Sequence, residues 1–244
     1  MGRAFEFRKG RKLKRWDKMS KDFSRIGREI SMAVKEGGPS PDSNLRLRAA
    51  MQNAKGVNMP KDRVDAAIKR AISKEEKDFQ EVVYEGYLPH GIAVVIETAT
   101  DNPTRTVSNI RLIVNRSGGT LGASGSSDYT FTRKGVFKIA ADGIDRDELE
   151  LELIDHGAED VYDTQEEDEQ GVEHTYIVVE TAFTDFGQMQ KALEAHKCQV
   201  VSVNLQRVPN STTALSEEHL EEVMAIIDKL EEDDDVQAVY HTVG

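Results

Sequence analysis

The sequence predicts an α+β multidomain protein. A three-helix bundle with a basic N-terminal arm precedes two α/β ferredoxin-like sandwich domains, one of which is inserted in the other. Three observations support this prediction. The 244 residues exceed one small domain. Apolar residues recur at a helical period up to about residue 72 and in short β-branched runs after residue 80. Residues 1–80 carry 21 Lys and Arg against 11 Asp and Glu, whereas the remainder carries 11 against 33.

The basic region begins with sixteen residues that have no regular period, which favours an extended arm. A helix is predicted from about Asp17 to Gly37-Gly38-Pro39, where glycine and proline end it. A second helix is predicted over residues 43–55 and a third after Pro60. The predicted buried stripes of the first and third helices are Met19, Phe23, Ile26, Ile30, Ala33 and Val34, and Val64, Ala67, Ile68, Ala71 and Ile72.

The first sandwich is predicted from two separated segments. Strands over residues 82–87 and 92–97 flank the turn Leu88-Pro89-His90-Gly91, and a helix over 107–115 and a strand over 129–132 follow. Ser216 is a suitable N-cap for a later helix, and residues 236–243 suit the last strand. Neither segment is a complete sandwich alone, so we predict that they pair.

Between these segments the order is β-α-β-β-α-β, which is a ferredoxin-like unit. Strands are predicted over 136–140, 158–162, 175–180 and 201–205, with a helix over 146–156 and another around Met189. Leu149, Leu151 and Leu153 alternate as in a strand, but the Asp145 cap and Gly157 stop favour a helix. The predicted domains are therefore 1–80, 81–135 plus 208–244, and the inserted 136–207. A serial arrangement stays open.

Motifs for catalysis or metal binding are not found. The glycine-rich segment 118–127 lacks the Lys-Ser/Thr ending of a P-loop and the glycine spacing of a dinucleotide site. The six histidines lack metal-ligand spacing, and the single Cys198 leaves no disulfide partner. The chain contains no run of about 18 apolar residues and no secretory signal. We therefore expect a cytoplasmic protein that is not an enzyme and that uses no cofactor, metal or membrane.

The basic region instead predicts binding to nucleic acid, because affinity for polyanions grows with the number of Lys and Arg that reach phosphates. Phe5, Phe7 and Trp16 lie among the cations and either stack on bases or pack on the bundle. The candidate nucleic-acid-binding residues are Arg8, Lys9, Arg11, Lys12, Lys14, Arg15, Lys18, Lys21, Arg46, Arg48, Lys55, Lys61, Arg63, Lys69, Arg70, Arg105, Arg111, Arg116, Arg133 and Lys134.

Several motifs, in order, make the chain resemble the YebC/PmpR proteins, a family that includes the mitochondrial translational activator of cytochrome oxidase. Two segments depart from the family pattern, since Gly2-Arg3-Ala4-Phe5-Glu6 replaces Gly-His-Ser-Lys-Trp and Leu88-Pro89-His90-Gly91 replaces Gly-Pro-Gly-Gly. The motifs that carry the resemblance are Gly37-Gly38-Pro39, Asn44-Leu45-Arg46-Leu47-Arg48-Ala49-Ala50, Asn58-Met59-Pro60-Lys61-Asp62, Ala67-Ile68-Lys69-Arg70, Tyr84-Glu85-Gly86-Tyr87, Thr100-Asp101-Asn102, Arg105-Thr106, Gly118-Gly119-Thr120-Leu121-Gly122 and Arg133-Lys134-Gly135.

The resemblance implies the same three-domain fold and two rival functions. The first is a DNA-binding transcriptional regulator without catalytic activity. The second is a ribosome-associated translation factor that binds ribosomal RNA or tRNA and relieves stalls, for example at consecutive prolines. A protein-binding scaffold with an acidic body is a third class that the charge distribution leaves open. The sequence makes no prediction of oligomeric state.

Overall fold

The molecule forms two compact units, residues 1–79 and 80–244. A computed structural model describes the backbone of residues 3–73, 78–167 and 172–244. Within these ranges it describes the side chains from residue 19 onward, apart from that of residue 128. The boundary between the units falls where the charge of the sequence changes sign.

The first unit consists of α1 (Arg3–Gly37), α2 (Leu45–Gly56) and α3 (Lys61–Ile72). The prediction of an extended arm is wrong, because α1 already begins at Arg3. The early residues lack an apolar stripe, but Arg, Lys, Leu and Ala are good helix formers and no proline occurs before Pro39. A missing stripe therefore does not argue against a helix.

The core of this unit combines a few large side chains with many alanines. Ile30, Ala33 and Val34 of α1 pack against both shorter helices, and small side chains let the helix backbones approach closely. The buried partners on α2 and α3 are Leu47, Ala50, Ala54, Val64, Ala67 and Ala71. The predicted stripes of α1 and α3 are confirmed at Ile30, Ala33, Val34, Val64, Ala67 and Ala71. They are wrong at their ends, where Met19 and Ile72 are 40% and 58% exposed.

Asn44 joins the end of α1 to the start of α2. Its buried side chain donates to the carbonyl oxygens of Ala33 (2.6 Å) and Gly38 (2.9 Å) and accepts from the Leu47 amide (3.0 Å). A Cβ added to Gly37 would lie 2.7 Å from the Asn44 amide nitrogen, so only glycine leaves room for this contact. The spacing of Gly37 and Asn44 in the sequence thus has a structural reason.

The first sheet of the second unit has the order β3-β1-β2-β8. Its strands are β1 (Gln80–Tyr87), β2 (Ala93–Thr100), β3 (Thr120–Leu121) and β8 (Val236–His241). Two helices, α4 (Pro103–Arg116) and α7 (Glu217–Glu231), cover one face, where Ile96, Ile110 and Ile227 belong to one core. The predicted hairpin, both helices and the Ser216 N-cap are confirmed.

The turn between β1 and β2 has one residue in the left-handed region. His90 has a φ of 64°, at the position where the family pattern places glycine. Its ring stacks on that of His219 with centroids 3.7 Å apart, and its Nε2 lies 2.9 Å from a carboxylate oxygen of Glu222. These contacts to α7 offset the cost of the unusual backbone conformation.

The second sheet has the order β5-β6-β4-β7, which is the strand order of a ferredoxin-like fold. It consists of β4 (Phe131–Ala140), β5 (Ala158–Glu167), β6 (Glu173–Ala182) and β7 (Val200–Pro209). The connecting helices are α5 (Arg146–Ile154) and α6 (Phe186–Ala195). Leu149 and Leu153 are buried and Leu151 is 71% exposed, so the helix predicted over the alternating leucines is confirmed.

The separate strand predicted over residues 129–132 is wrong. Residues 131–140 form one strand, β4, which pairs with β6 and β7. Gly135 does not interrupt it; an added Cβ would lie 2.7 Å from Phe186, so the glycine makes room for that ring. The remaining strand of the first sheet is instead β3, inside the glycine-rich segment. The division of the second unit at residues 135 and 208 stays a prediction.

A polar contact links the two sheets of the second unit. Arg207 of β7 donates to Glu97 of β2 at 2.9 Å, and the Tyr240 hydroxyl of β8 donates to the Leu205 carbonyl oxygen at 3.3 Å. Phe131 packs beside them against Ala93 and Val95. Burial, together with the Glu97 carboxylate, raises the pKa of Tyr240. The central strand β2 is therefore covered on both faces.

Candidate nucleic-acid interface

Four candidate residues lie together on α3. Lys61, Arg63, Lys69 and Arg70 are all exposed, and no described carboxylate forms an ion pair with any of them. Asp62 and Asp65 are on the same helix, which leaves it a net charge of +2. The positive side chains of α3 are therefore available to an external anion.

The connection before α3 is short. Residues 57–60 form a four-residue turn in which Asn58 has a φ of 55° and Pro60 precedes the first helical residue. Helix, short turn and helix is the local arrangement with which many DNA-binding proteins place a helix in the major groove. That groove, about 12 Å wide, admits an α-helix. The arrangement can present the α3 cations to a duplex.

A surface groove of about 450 Å³ lies between α1 and α3. Two arginines in it lie over phenylalanine rings: the guanidinium carbon of Arg28 is 5.4 Å from the centroid of Phe79, and that of Arg63 is 5.5 Å from that of Phe23. A Cβ added to Gly27 would meet nothing within 4 Å, so the groove is open there. The lining residues are Ser20, Phe23, Ser24, Gly27, Arg28, Met59, Arg63, Ala66, Arg70 and Phe79.

Sequence reasoning did not find this groove. The predicted buried stripe includes Phe23, and the candidate residues include neither Arg28 nor Phe79. A signal was present in the spacing of small residues on α1. Ser20, Ser24 and Gly27 recur at steps of four and three on one side of the helix, where large side chains would have filled the space.

The candidates on α2 have contacts within the protein. Arg46 donates to Glu29 and Glu36 of α1, both at 2.9 Å, and Arg48 donates to the carbonyl oxygens of Pro41 (3.2 Å) and Asp42 (3.1 Å). These bonds hold α2 against the end of α1. Lys55 is exposed at the end of α2, and Lys21 is half-buried on α1. A phosphate contact by any of these four residues stays a prediction.

In the second unit, two of the candidates form ion pairs. Arg105 lies 2.9 Å from Asp101 and 2.6 Å from Asp235, and Lys134 lies 2.7 Å from Glu180. The others have no described ion-pair partner. The guanidinium of Arg133 lies over the Phe183 ring at 4.7 Å, and Arg111 and Arg116 are exposed on α4.

The candidates before residue 19 are assigned only a helical backbone. Their side chains lie outside those that the structure describes, as do those of Phe5, Phe7 and Trp16. The part they play stays a prediction. These candidates are Arg8, Lys9, Arg11, Lys12, Lys14, Arg15 and Lys18.

Asp235 is the centre of a buried polar network behind the Thr100-Asp101-Asn102 motif. Its carboxylate accepts hydrogen bonds from Thr100 (3.1 Å), Thr106 (2.7 Å) and Arg105 (2.6 Å). Burial alone raises the pKa of Asp235, but these hydrogen bonds outweigh it and hold the pKa below its ordinary value. The network fixes the start of α4 to the segment before β8, so we assign it a structural role.

The glycine-rich segment is held by another buried carboxylate. Glu85 accepts from the amides of Gly125 and Ser127, both at 2.7 Å. Burial raises the pKa of Glu85, but these bonds, the Ser127 hydroxyl and the charge of Arg207 bring it below its ordinary value. Because these amides already bind a carboxylate, the segment is not arranged as a phosphate cradle. A Cβ on Gly86 would lie 2.3 Å from the Thr120 carbonyl oxygen, so glycine allows β1 and β3 to approach closely.

The described ranges lack two further kinds of feature. They contain no cluster of three or more His, Cys, Asp or Glu side chains placed to hold a metal ion. Their helices include none that is both long and apolar enough to cross a membrane.

Two family models together match almost the whole chain. Residues 3–74 match the TACO1/YebC protein N-terminal domain, and residues 79–243 match the TACO1/YebC second and third domain. The chain belongs to the TACO1/YebC family. The resemblance seen in its motifs is thereby confirmed.

Relatives of this TACO1/YebC protein are similar over their full length. Proteins of Flavobacterium johnsoniae and Cytophaga hutchinsonii, each described as a probable transcriptional regulatory protein, are both 54% identical, with 100% of this chain and 99% of theirs covered. The crystal structure of a conserved hypothetical protein from Aquifex aeolicus has a TM-score of 0.80 at 36% identity. That match covers 92% of this chain and 90% of the other. The predicted fold class is confirmed.

Proposed function

We propose that this protein is a cytoplasmic DNA-binding transcriptional regulator, without a catalytic step, that holds duplex DNA through the cations of α3. The observation that carries the proposal is the set of exposed cations Lys61, Arg63, Lys69 and Arg70, which no described carboxylate neutralises. Each phosphate contact releases condensed counterions, so such a surface binds DNA without needing a preformed pocket.

Two further observations support this function. The helix and four-residue turn before α3 suit insertion of a helix in the major groove. Relatives that are similar over their whole length are described as probable transcriptional regulatory proteins.

The test compares two double variants that each remove two positive charges. Lys69→Gln with Arg70→Gln neutralises α3, and Lys191→Gln with Lys229→Gln neutralises two exposed lysines of the acidic unit. Binding to a labelled duplex is followed by fluorescence anisotropy. The α3 pair should weaken binding by about tenfold or more. The control pair should leave it within about twofold, since those residues lie outside the proposed surface. Equal effects of both pairs would contradict the assignment to α3.

A ribosomal RNA fragment is the competitor in the same measurement. A DNA-binding regulator binds promoter duplex at least as tightly as the RNA, and selects among duplex sequences. If the RNA displaced every duplex at equimolar concentration, the ribosome-associated translation factor predicted as the alternative would replace this proposal.

A further inference from the structure

The groove between α1 and α3 offers a different surface from the exposed face of α3. Arg28, Arg63 and Arg70 contribute to its lining, and none of the described lining residues is acidic. Arg63 and Arg70, which have no described ion-pair partner, make this part of the groove complementary to an anion. Its volume of about 450 Å³ falls within the range of small-ligand sites.

The groove also presents planar side chains on which a flat ring can stack. The guanidinium groups of Arg28 and Arg63 lie over the Phe79 and Phe23 rings. Aromatic side chains and arginine planes are the surfaces on which unpaired bases stack, whereas paired bases inside a duplex are not accessible to them. A nucleotide is a small ligand that combines an anionic group with a planar ring.

Arg63 and Arg70 connect the two surfaces, because both are exposed on α3 and both line the groove. We propose that this groove binds one unpaired nucleotide of a DNA strand, with its base against the arginine–phenylalanine pairs and its phosphate at Arg70. The inference rests on the proposed function, since α3 holds the duplex that supplies the strand. It adds a preference for DNA in which a base is already unpaired, because extruding a paired base costs a few kcal/mol.

The test fills the groove without changing its charge. Gly27 is in the middle of α1, and its Cβ direction is open. Gly27→Leu should therefore occupy the groove, and Gly27→Ala is the matched control that adds only a methyl group. Ala66→Leu fills the groove from α3 and is the second variant in case Gly27→Leu does not fold. Thermal unfolding followed by circular dichroism verifies each fold.

Two labelled duplexes that differ only in one unpaired adenine are compared for the full chain. The wild type and Gly27→Ala should bind the bulged duplex about tenfold or more tighter than the paired one, in line with one base stack. Gly27→Leu and Ala66→Leu should bind both duplexes with the affinity that the wild type has for the paired duplex. If the wild type shows no preference, or if the filled variants keep it, the groove is not the site.

The outcome separates this inference from the proposed function. Tight binding of the paired duplex without a bulge preference refutes only the nucleotide site. If the wild type binds neither duplex, both the nucleotide site and the proposed function are refuted. A bulged RNA duplex bound about tenfold tighter than its DNA counterpart would overturn the assignment to DNA.

Discussion

Helix α3 of the basic unit and the paired cations of the acidic unit use positive charge in opposite ways. On α3 of the basic unit, Lys61, Arg63, Lys69 and Arg70 are exposed without a described carboxylate partner. In the acidic unit, Arg105, Lys134 and Arg207 each bind a carboxylate, and two of those carboxylates are almost fully buried. A cation paired with a carboxylate links parts of the protein, and an exposed one without an ion pair is available to an external anion. Local pairing, rather than the number of cations, therefore decides which positive side chains are available to a partner.

Some positive side chains of each unit depart from this pattern. Arg46 of the basic unit is paired with Glu29 and Glu36, whereas Arg111 and Arg116 of the acidic unit have no described ion-pair partner. The contrast therefore belongs to particular positions and not to whole helices or whole units.

The largest effect on stability is expected at Asp235. Asp235→Ala removes the acceptor of Thr100, Thr106 and Arg105, two of which are buried. We expect the free energy of unfolding of the second unit to fall by about 3 kcal/mol. Urea unfolding measured by circular dichroism gives the value. A loss below about 1 kcal/mol would show that the network does not hold α4, and that the paired cations of this unit are not stabilising.

A somewhat smaller effect is expected at Asn44 in the basic unit. Asn44→Ala removes the α2 N-cap and both bonds to the end of α1, so we expect a loss of about 2 kcal/mol. Ser43→Ala is the neighbouring control, since Ser43 is exposed and makes only a local contact. Thermal unfolding should separate the two variants clearly. Equal melting temperatures would rule out the role of Asn44.

Acid should weaken the second unit. The pKa values of Glu85 and Asp235 lie below their ordinary values in the folded state. A lowered pKa contributes stability that is present above the unfolded pKa, about 4, and is lost as the pH falls through the folded value. Glu85→Gln should cost about 2 kcal/mol near neutral pH, because an amide nitrogen then faces amide donors. The difference from the wild type should shrink below about pH 4 in urea unfolding. A constant difference would contradict the assignment.

The smallest effect on stability is expected on α3. Lys69→Gln with Arg70→Gln should change the free energy of unfolding by less than about 0.5 kcal/mol, because neither side chain has a described ion pair. The same pair should weaken duplex binding, as proposed above. If unfolding became easier by more than about 1 kcal/mol, these cations would be structural, and the contrast between the units would fail.

Periodicity and caps predicted most of the elements. The Asp145 cap was needed to predict a helix at Leu149 and Leu153, and the structure confirms that helix. The helical start of α1 was missed because an amphipathic stripe reports packing, and residues near Arg8 show none. The short β3 was missed because two residues leave no alternation to detect.

The candidate site was only partly accessible to sequence reasoning. Charge counts identified the basic unit but could not separate Arg63, which is exposed, from Arg46, which is paired across helices. Such pairing depends on which faces of two helices meet. The groove around Gly27 exists because no large side chain fills the space there. A sequence does not show directly which spaces stay empty.

The most direct test of the central claim is the salt dependence of duplex binding. Affinity is measured from about 50 to about 200 mM salt for the wild type and for a variant with Lys61, Arg63, Lys69 and Arg70 all changed to Gln. If these four side chains contact phosphates, the slope of log affinity against log salt should become less steep by about three to four. Identical slopes would contradict the assignment of α3 as the DNA-binding surface.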